Sequence, residues 1–196
     1  MFISLEGVDG SGKSTQARLL VEALGEETVP IREPGGTQAA ERIRELLADP
    51  EVELGPLAEL MLFLGARADL TERVIRPALE AGRTVVADRF SDSSVAYQGA
   101  ARGLGVGEVI GLCDTATDGL WPDLTLLLRL DPEAGLGRAK SDDRFEREGL
   151  GLQQAVAEAY EEIAQIASDR VTVIDATGSV DEVHERVMDA VRTRAQ

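Results

Sequence analysis

The segment Phe2-Ile3-Ser4-Leu5-Glu6 and the stretch that follows it, Gly7-Val8-Asp9-Gly10-Ser11-Gly12-Lys13-Ser14, indicate the fold class. Residues 2–5 form a short apolar run, which is typical of a buried strand. Behind the glycines, residues 13–24 place apolar side chains on one face of a predicted helix. A strand, a loop of the pattern G-x-x-x-x-G-K-[ST] and a helix in this order predict a phosphate-binding loop. Its glycines allow backbone N–H groups to surround a phosphate, and the helix N-terminus adds the positive end of its dipole.

Two side chains of this loop have the chemistry that a bound nucleoside triphosphate requires. Lys13 can reach the β- and γ-phosphates, and the Ser14 hydroxyl can ligate Mg²⁺. A chance glycine-rich turn is the alternative, and the strand and helix on either side argue against it. The motif alone does not distinguish kinases from ATPases and GTPases.

The rest of the chain alternates short apolar runs with helical patterns, which predicts an α/β fold: a five-stranded parallel sheet with helices on both faces. The predicted strands are residues 2–5, 28–31, 84–87, 124–130 and 171–174. The predicted helices cover about residues 13–24, 39–47, 57–79, 93–101, 106–116 and 152–167, and two more begin at Asp131-Pro132 and at the capping box Ser179-Val180-Asp181-Glu182. We expect one domain over residues 1–196, with a charged, glycine-rich surface loop at about 140–151.

The composition excludes several classes of protein. Among 196 residues there is one cysteine, Cys113, so no intramolecular disulfide can form. Acidic residues outnumber basic ones by 36 to 20, and a net charge of −16 disfavours binding to nucleic acids. The N-terminus lacks the pattern of a signal peptide, and no apolar run is long enough to cross a membrane. We therefore expect a cytoplasmic protein that binds neither nucleic acid nor membranes.

Two absent patterns narrow the class of nucleotide-binding protein. Neither lysine lies in an Asn/Thr-Lys-x-Asp pattern, which reads guanine in switch GTPases, and no apolar strand ends in the Asp-Glu pair of many ATPases. Asp88 instead follows Val85-Val86-Ala87 and precedes Arg89. An acid beside an arginine at a strand end suits a water-mediated Mg²⁺ contact and a second phosphate. Ser14 and Asp88 are therefore the predicted metal ligands.

Four further strings follow in order along the chain. Arg32-Glu33-Pro34-Gly35-Gly36-Thr37 comes after the second predicted strand, and Phe63 and Arg67 lie four residues apart on one face of a predicted helix. Asp88-Arg89-Phe90-Ser91-Asp92-Ser93-Ser94-Val95-Ala96-Tyr97-Gln98-Gly99 comes after the third strand, and Asp143-Arg144-Phe145-Glu146 lies in the last third. Together with residues 7–14, these strings resemble the thymidylate kinase family over nearly the whole chain. The resemblance implies ATP and dTMP as substrates, Mg²⁺ as cofactor and a homodimer.

The resemblance implies five residues around the sugar and phosphate of dTMP. Asp9 would approach the sugar 3′-OH and the transferred phosphate, and Arg44 and Arg89 would hold the monophosphate. Glu33 and Pro34, the latter expected to be cis, would line the ribose and metal side.

The resemblance implies five more residues around the base. Phe63 would stack on thymine, and Arg67 would donate to its O4. Ser94 and Gln98 would line the N3 side, and Tyr97 would pack against C2′ of the ribose. Taken without the surrounding strings, Phe63 would more often be a residue of the hydrophobic core.

The resemblance also implies the ATP side and the catalytic groups. Its expected ATP-binding residues are Gly7, Val8, Asp9, Gly10, Ser11, Gly12, Lys13, Ser14, Thr15 and Arg138. Arg138 and residues 177–180 would hold adenine, and residues 140–151 would form a lid. The implied catalytic residues are Asp9, Lys13, Arg89, Arg144 and Arg147. Arg144 and Arg147 are candidates for a catalytic arginine because residues 7–14 contain none.

Two other functions are compatible with the residues. The protein could phosphorylate a different nucleoside monophosphate, although the residues expected around the base favour thymine. It could also be a nucleotide-gated switch that hydrolyses ATP slowly, but we find no residue that would position the attacking water.

Overall fold

A computed structural model describes residues 1–138 and 149–194. Within these residues, one sheet contains the strands β1 (Phe2–Glu6), β2 (Thr28–Arg32), β3 (Thr84–Asp88), β4 (Leu124–Arg129) and β5 (Val171–Asp175). All neighbouring strands are parallel, in the order β2-β3-β1-β4-β5. The predicted sheet is confirmed, and each strand lies within one residue of its predicted bounds. Four strands continue one residue further than predicted, because they end in a charged residue that the apolar pattern does not include.

Helices connect the strands. They are α1 (Lys13–Leu24), α2 (Gln38–Ala48), α3 (Pro56–Leu70), α4 (Arg76–Glu80), α5 (Ser91–Ser94), α6 (Val106–Thr117), α7 (Pro132–Leu136), α8 (Gly149–Ile166) and α9 (Val180–Arg194). Two π-helical segments interrupt this pattern: Thr71–Ile75 joins α3 to α4, and Val95–Ala101 continues α5. The sequence predicted ordinary helices at both places. Segments of this kind often occur at functional sites.

Side chains of β1 alternate between the two faces of the sheet, and helices cover both faces as predicted. Ile3 and Leu5 share a core cluster with Leu20 of α1. Glu6, on the opposite face, accepts a hydrogen bond from the hydroxyl of Tyr160 on α8.

The two predicted helix starts near residues 131 and 179 have the expected caps. The carboxylate of Asp131 accepts from the backbone N–H of Ala134 at 3.0 Å. Ser179 and Glu182 exchange side-chain to backbone hydrogen bonds of 2.7 and 3.3 Å, which is the capping box.

The predicted surface loop at 140–151 needs one correction. Its last residues, 149–151, belong to α8, which begins at Gly149. The rest of the predicted loop, including Arg144 and Arg147, lies outside the described residues. No helix within the described ranges combines the length and the apolar character needed to cross a bilayer.

The strand order brings the carboxyl ends of β1, β2 and β3 to one edge of the sheet. In the register of the sheet, Asp88 lies beside Leu5 of β1 and beside Arg32 of β2. The phosphate-binding loop and the strings that begin at residues 32 and 88 therefore converge, and parallel α/β sheets commonly bind ligands at such an edge.

Candidate active site

The loop between β1 and α1 encloses its own lysine. Nζ of Lys13 donates to the carbonyl oxygens of Gly7 at 3.0 Å and Val8 at 2.7 Å. Gly10 has a φ of 72°, and a Cβ there would lie 2.0 Å from the carbonyl oxygen of Gly135. Only glycine fits this close approach. Burial is the largest cause that lowers the pKa of Lys13, to about 8.

Ser14 and Asp88, the two predicted metal ligands, are in contact. The Ser14 hydroxyl donates to Oδ2 of Asp88 at 2.5 Å. No group of three or more His, Cys, Asp or Glu side chains suited to a metal occurs among residues 1–138 and 149–194. A hydroxyl and one carboxylate nevertheless fit Mg²⁺, which keeps waters and nucleotide phosphates as its other ligands.

Asp9, in the middle of the phosphate-binding loop, forms an ion pair with Arg89. Oδ1 of Asp9 accepts from Nη2 of Arg89 and, at 3.3 Å, from the hydroxyl of Tyr97. Gln153 of α8 donates to Oδ2 at 2.6 Å and accepts from the Asp9 backbone N–H at 3.1 Å. Burial would raise the pKa of Asp9, but the charges of Arg89 and Lys13 oppose it, and the pKa lies below its usual value. Asp9 is therefore an ionised acceptor at neutral pH.

A cavity of about 160 Å³ lies on one side of this ion pair. All ten residues that the sequence assigned to dTMP line it: Asp9, Glu33, Pro34, Arg44, Phe63, Arg67, Arg89, Ser94, Tyr97 and Gln98. Leu47 and Ala48, at the end of α2, and Ser93 complete the wall and were not predicted. The Glu33–Pro34 peptide bond is cis, as expected.

A larger cavity of about 570 Å³ lies on the other side. Residues 9–16, Asp88, Arg138 and residues 178–180 line it, so most of the predicted ATP-binding residues meet there. Gly7 and Val8 are not on its wall, and their carbonyl groups hold Lys13 instead. Four residues line both cavities, namely Asp9, Glu33, Arg44 and Arg89.

Arg67 is buried at the inner end of the smaller cavity, with 1% of its surface exposed. Its Nε and Nη2 lie 2.8 and 2.7 Å from Oε2 of Glu33. Nη2 also donates to Oγ of Ser94 at 3.0 Å. Burial, the largest cause, raises the pKa of Glu33, although Arg67 opposes the shift. Phe63, four residues earlier on α3, is half-buried on the same wall, so it is not simply a core residue.

A buried polar layer beneath Arg89 escaped the sequence analysis. Oε2 of Glu6 accepts from the hydroxyls of Ser93 at 2.6 Å and Tyr160 at 2.7 Å. Oγ of Ser93 in turn lies 3.2 Å from Nη1 of Arg89. Burial is the largest cause that raises the pKa of Glu6, to about 7, and the charge of Asp92 adds to it. The one sequence feature that points to this layer is Glu6 itself, an acid at the end of an apolar strand and directly before the phosphate-binding loop.

Two cavities that share Asp9, Glu33, Arg44 and Arg89 suit the transfer of a phosphoryl group from one nucleotide to another. On a parallel sheet with a phosphate-binding loop, this is the arrangement of the P-loop nucleotide kinases. A family model described as thymidylate kinase matches residues 5–187. The chain belongs to the thymidylate kinase family.

Individual relatives are similar over nearly the full length. The chain is 47% identical over 193 residues to the thymidylate kinase of Symbiobacterium thermophilum, covering 95% of this chain and 90% of the relative. It is 47% identical over 199 residues to a thymidylate kinase of Synechococcus sp., covering 99% and 95%. The crystal structure of thymidylate kinase from Ehrlichia chaffeensis superposes with a TM-score of 0.82 at 33% identity, over 98% of each chain.

Proposed function

We propose that this protein transfers the γ-phosphoryl group of ATP to dTMP, giving ADP and dTDP. Membership of the thymidylate kinase family makes it a nucleoside monophosphate kinase, and phosphorylation of dTMP is the function of that family. The observation that carries the proposal is the wall shared by the two cavities. A triphosphate in one cavity and a monophosphate in the other would meet at that wall, and in-line transfer needs the two phosphates to be held close together.

The larger cavity would bind ATP. Lys13 would neutralise charge on the β- and γ-phosphate oxygens, and Arg138 would lie against adenine. Ser14 and Asp88 would hold Mg²⁺, which supplies further charge neutralisation when it is bound. Each of these groups lines the same cavity, which supports a single nucleotide position.

The phosphate and sugar of dTMP would bind at the shared wall. Arg44 and Arg89 would hold the monophosphate, because the planar guanidinium donates two parallel hydrogen bonds to phosphate oxygens. Asp9, ionised and buried beside Arg89, would accept from the 3′-OH of the sugar. Tyr97 would pack against C2′ and disfavour a 2′-OH, and Glu33 would line the ribose side with Pro34.

The base of dTMP would lie deeper in the smaller cavity. Phe63 would stack on it, while Ser94 and Gln98 line the N3 side. Arg67 carries only donors, so it matches the O4 acceptor of thymine and opposes the N4 amino group of cytosine.

We also propose that two chains form a dimer through α3 and α6. Leu57 and Met61 lie one turn apart on α3 and are 54% and 46% exposed, and Ile110 on the adjacent α6 is 37% exposed. Exposed apolar side chains on two helices that pack together favour association of identical subunits. Sedimentation velocity should show a dimer for the protein and for Ile166→Asp, a control at an 81% exposed site on α8, and a monomer for Met61→Asp.

A cytoplasmic location is also part of the proposal. The chain has a single cysteine, Cys113, so its fold does not depend on disulfides, which suits a reducing compartment.

The assignment is tested by incubating the protein with Mg-ATP and each nucleoside monophosphate in turn, and by following the diphosphates formed. We expect dTDP to form fastest, and removal of Mg²⁺ by a chelator to stop the reaction reversibly. Preference for another monophosphate would contradict the choice of thymine. Loss of ATP without a diphosphate product from the acceptor would instead indicate a nucleotide switch.

A further inference from the structure

The amide of Gln98 can present two opposite groups to the smaller cavity. Gln98 is buried and lines that cavity from the π-helical segment Val95–Ala101. Its carbonyl oxygen accepts a hydrogen bond, whereas its amide nitrogen donates two. The N3 atom of thymine carries a hydrogen, while N3 of cytosine is an acceptor. The orientation of one amide therefore decides which pyrimidine can pair with it.

A buried carboxylate outside the cavity wall fixes this orientation. Oε1 of Glu59 on α3 accepts from Nε2 of Gln98 at 2.8 Å, and Glu59 is 1% exposed. An ionised carboxylate can only accept, so it stabilises the orientation with the amide nitrogen toward α3. The flipped amide would bring a carbonyl oxygen against a carboxylate oxygen in a buried site, where an unpaired polar contact is costly.

Arg102 supplies the charge that Glu59 needs in this buried position. Its Nε lies 2.7 Å from Oε1 of Glu59, and its Nη2 donates to Oε2 at 3.2 Å. The position of Glu59 on α3 also relates it to the base site. It lies four residues before Phe63 and eight before Arg67, so all three occupy one face of the helix.

We propose that Glu59 is a positioning residue that determines base choice through Gln98. With the amide nitrogen held by Glu59, Gln98 offers its carbonyl oxygen to N3–H of the base. Arg67 offers a donor to O4 beside it. This pair of groups matches thymine at both positions and opposes cytosine at both. The inference rests on the proposed function and adds the group that sets the polarity of its base site.

The test compares dTMP with 5-methyl-dCMP, which has the same methyl group and differs in the hydrogen-bonding groups at N3 and C4. Glu59→Gln keeps the shape but can donate as well as accept, so it no longer fixes the orientation of the Gln98 amide. The ratio of kcat/KM for dTMP to kcat/KM for 5-methyl-dCMP should therefore fall at least about fivefold. Glu59→Asp is shorter but still only accepts, so it should keep the ratio within about twofold. Glu161→Gln, which breaks the exposed pair with Arg129 on another part of the surface, serves as control and should leave the ratio unchanged.

The outcomes separate the possible roles of Glu59. An unchanged ratio in folded Glu59→Gln overturns the proposal. An equal fall in both variants, or a larger fall in Glu59→Asp, indicates a packing role and also overturns it. Failure of the unmodified protein to phosphorylate dTMP would refute the proposed function, and this inference with it.

A second variant keeps the test informative where Glu59→Gln does not fold. The double variant Glu59→Gln/Gln98→Glu restores one amide and one carboxylate in contact, and the carboxylate at position 98 can only accept from the base. It should retain the preference for dTMP, and loss of that preference overturns the proposal.

Discussion

Replacing Arg67 by methionine tests the buried ion pair beneath the base site. The side chains of Arg67 and Glu33 are 1% and 4% exposed, and Nη2 lies 2.7 Å from Oε2. Oε1 of Glu33 has no hydrogen-bond partner among the described residues, so Arg67→Met leaves a buried carboxylate without its ion pair. Loss of one partner from a buried pair costs about 3–5 kcal/mol, and we expect the free energy of unfolding to fall by this amount.

The size of this loss should depend on pH. Burial raises the pKa of Glu33 while Arg67 opposes the shift, so removal of Arg67 raises the pKa further. An acid whose pKa is higher in the folded state stabilises the fold at low pH, and this contribution is lost as the pH rises through the folded-state pKa. The deficit of Arg67→Met relative to the unmodified protein should therefore be smaller at about pH 5 than at about pH 8.

A second substitution distinguishes the charge from the packing. Glu33→Leu/Arg67→Met replaces the ion pair by apolar groups and should recover most of the lost stability, because the pair pays a large desolvation cost. Urea denaturation measures all free energies of unfolding. Arg129→Met, which breaks an exposed pair with Glu161, is the control and should cost no more than about 1 kcal/mol. A double variant as unstable as Arg67→Met would refute the reasoning, as would an Arg67→Met protein as stable as the control.

Three further predictions concern the phosphate-binding loop, the buried polar layer beneath Arg89 and the lid expected at residues 140–151. Lys13→Met should lower kcat at least about 100-fold, because Lys13 would no longer neutralise charge on the phosphate oxygens of ATP. The melting temperature should not fall, because burial disfavours the charged form of Lys13 and depresses its pKa to about 8. Normal turnover in the folded variant would contradict the role of the loop. The pKa of Glu6 is raised from 4.5 to about 7, mainly by burial and secondly by Asp92, so stability should fall as the pH rises through this range. Glu6→Gln should flatten that slope in urea midpoints, and an equally steep slope would assign it to another group. At saturating ATP and dTMP, Arg144→Ala or Arg147→Ala should lower kcat at least about tenfold, and a lid role is wrong where neither does.

The sequence was informative where function depends on short strings beside strand ends. Nine of the ten predicted residues of the smaller cavity lie in four of the strings that carry the family resemblance, and the sheet order brings these strings together. Arg44, on α2, lies outside the strings and was named from the resemblance alone. Gln153 could not be found in this way. It holds Asp9 from 144 positions further along the chain, and no local pattern on α8 indicates that contact.

Two other features were hidden for physical reasons. Glu6 is fully buried at the end of β1, yet the short apolar run that predicts this strand ends at Leu5 and gives no reason to bury the acid that follows. The π-helical segment Val95–Ala101 contains the same residue types as an α-helix. It is only seven residues long, so its wider turn cannot be recognised from the spacing of apolar residues. It nevertheless positions Tyr97 and Gln98 on the cavity wall.

The wall shared by the two cavities has a consequence for binding equilibria. Arg89 pairs with Asp9 and lines both cavities, so in the proposed binding mode a phosphate in either cavity competes with Asp9 for the same guanidinium. The occupancy of one cavity therefore alters the free energy of filling the other. Linkage makes this effect reciprocal: the factor by which ATP changes the Kd of dTMP equals the factor by which dTMP changes the Kd of ATP.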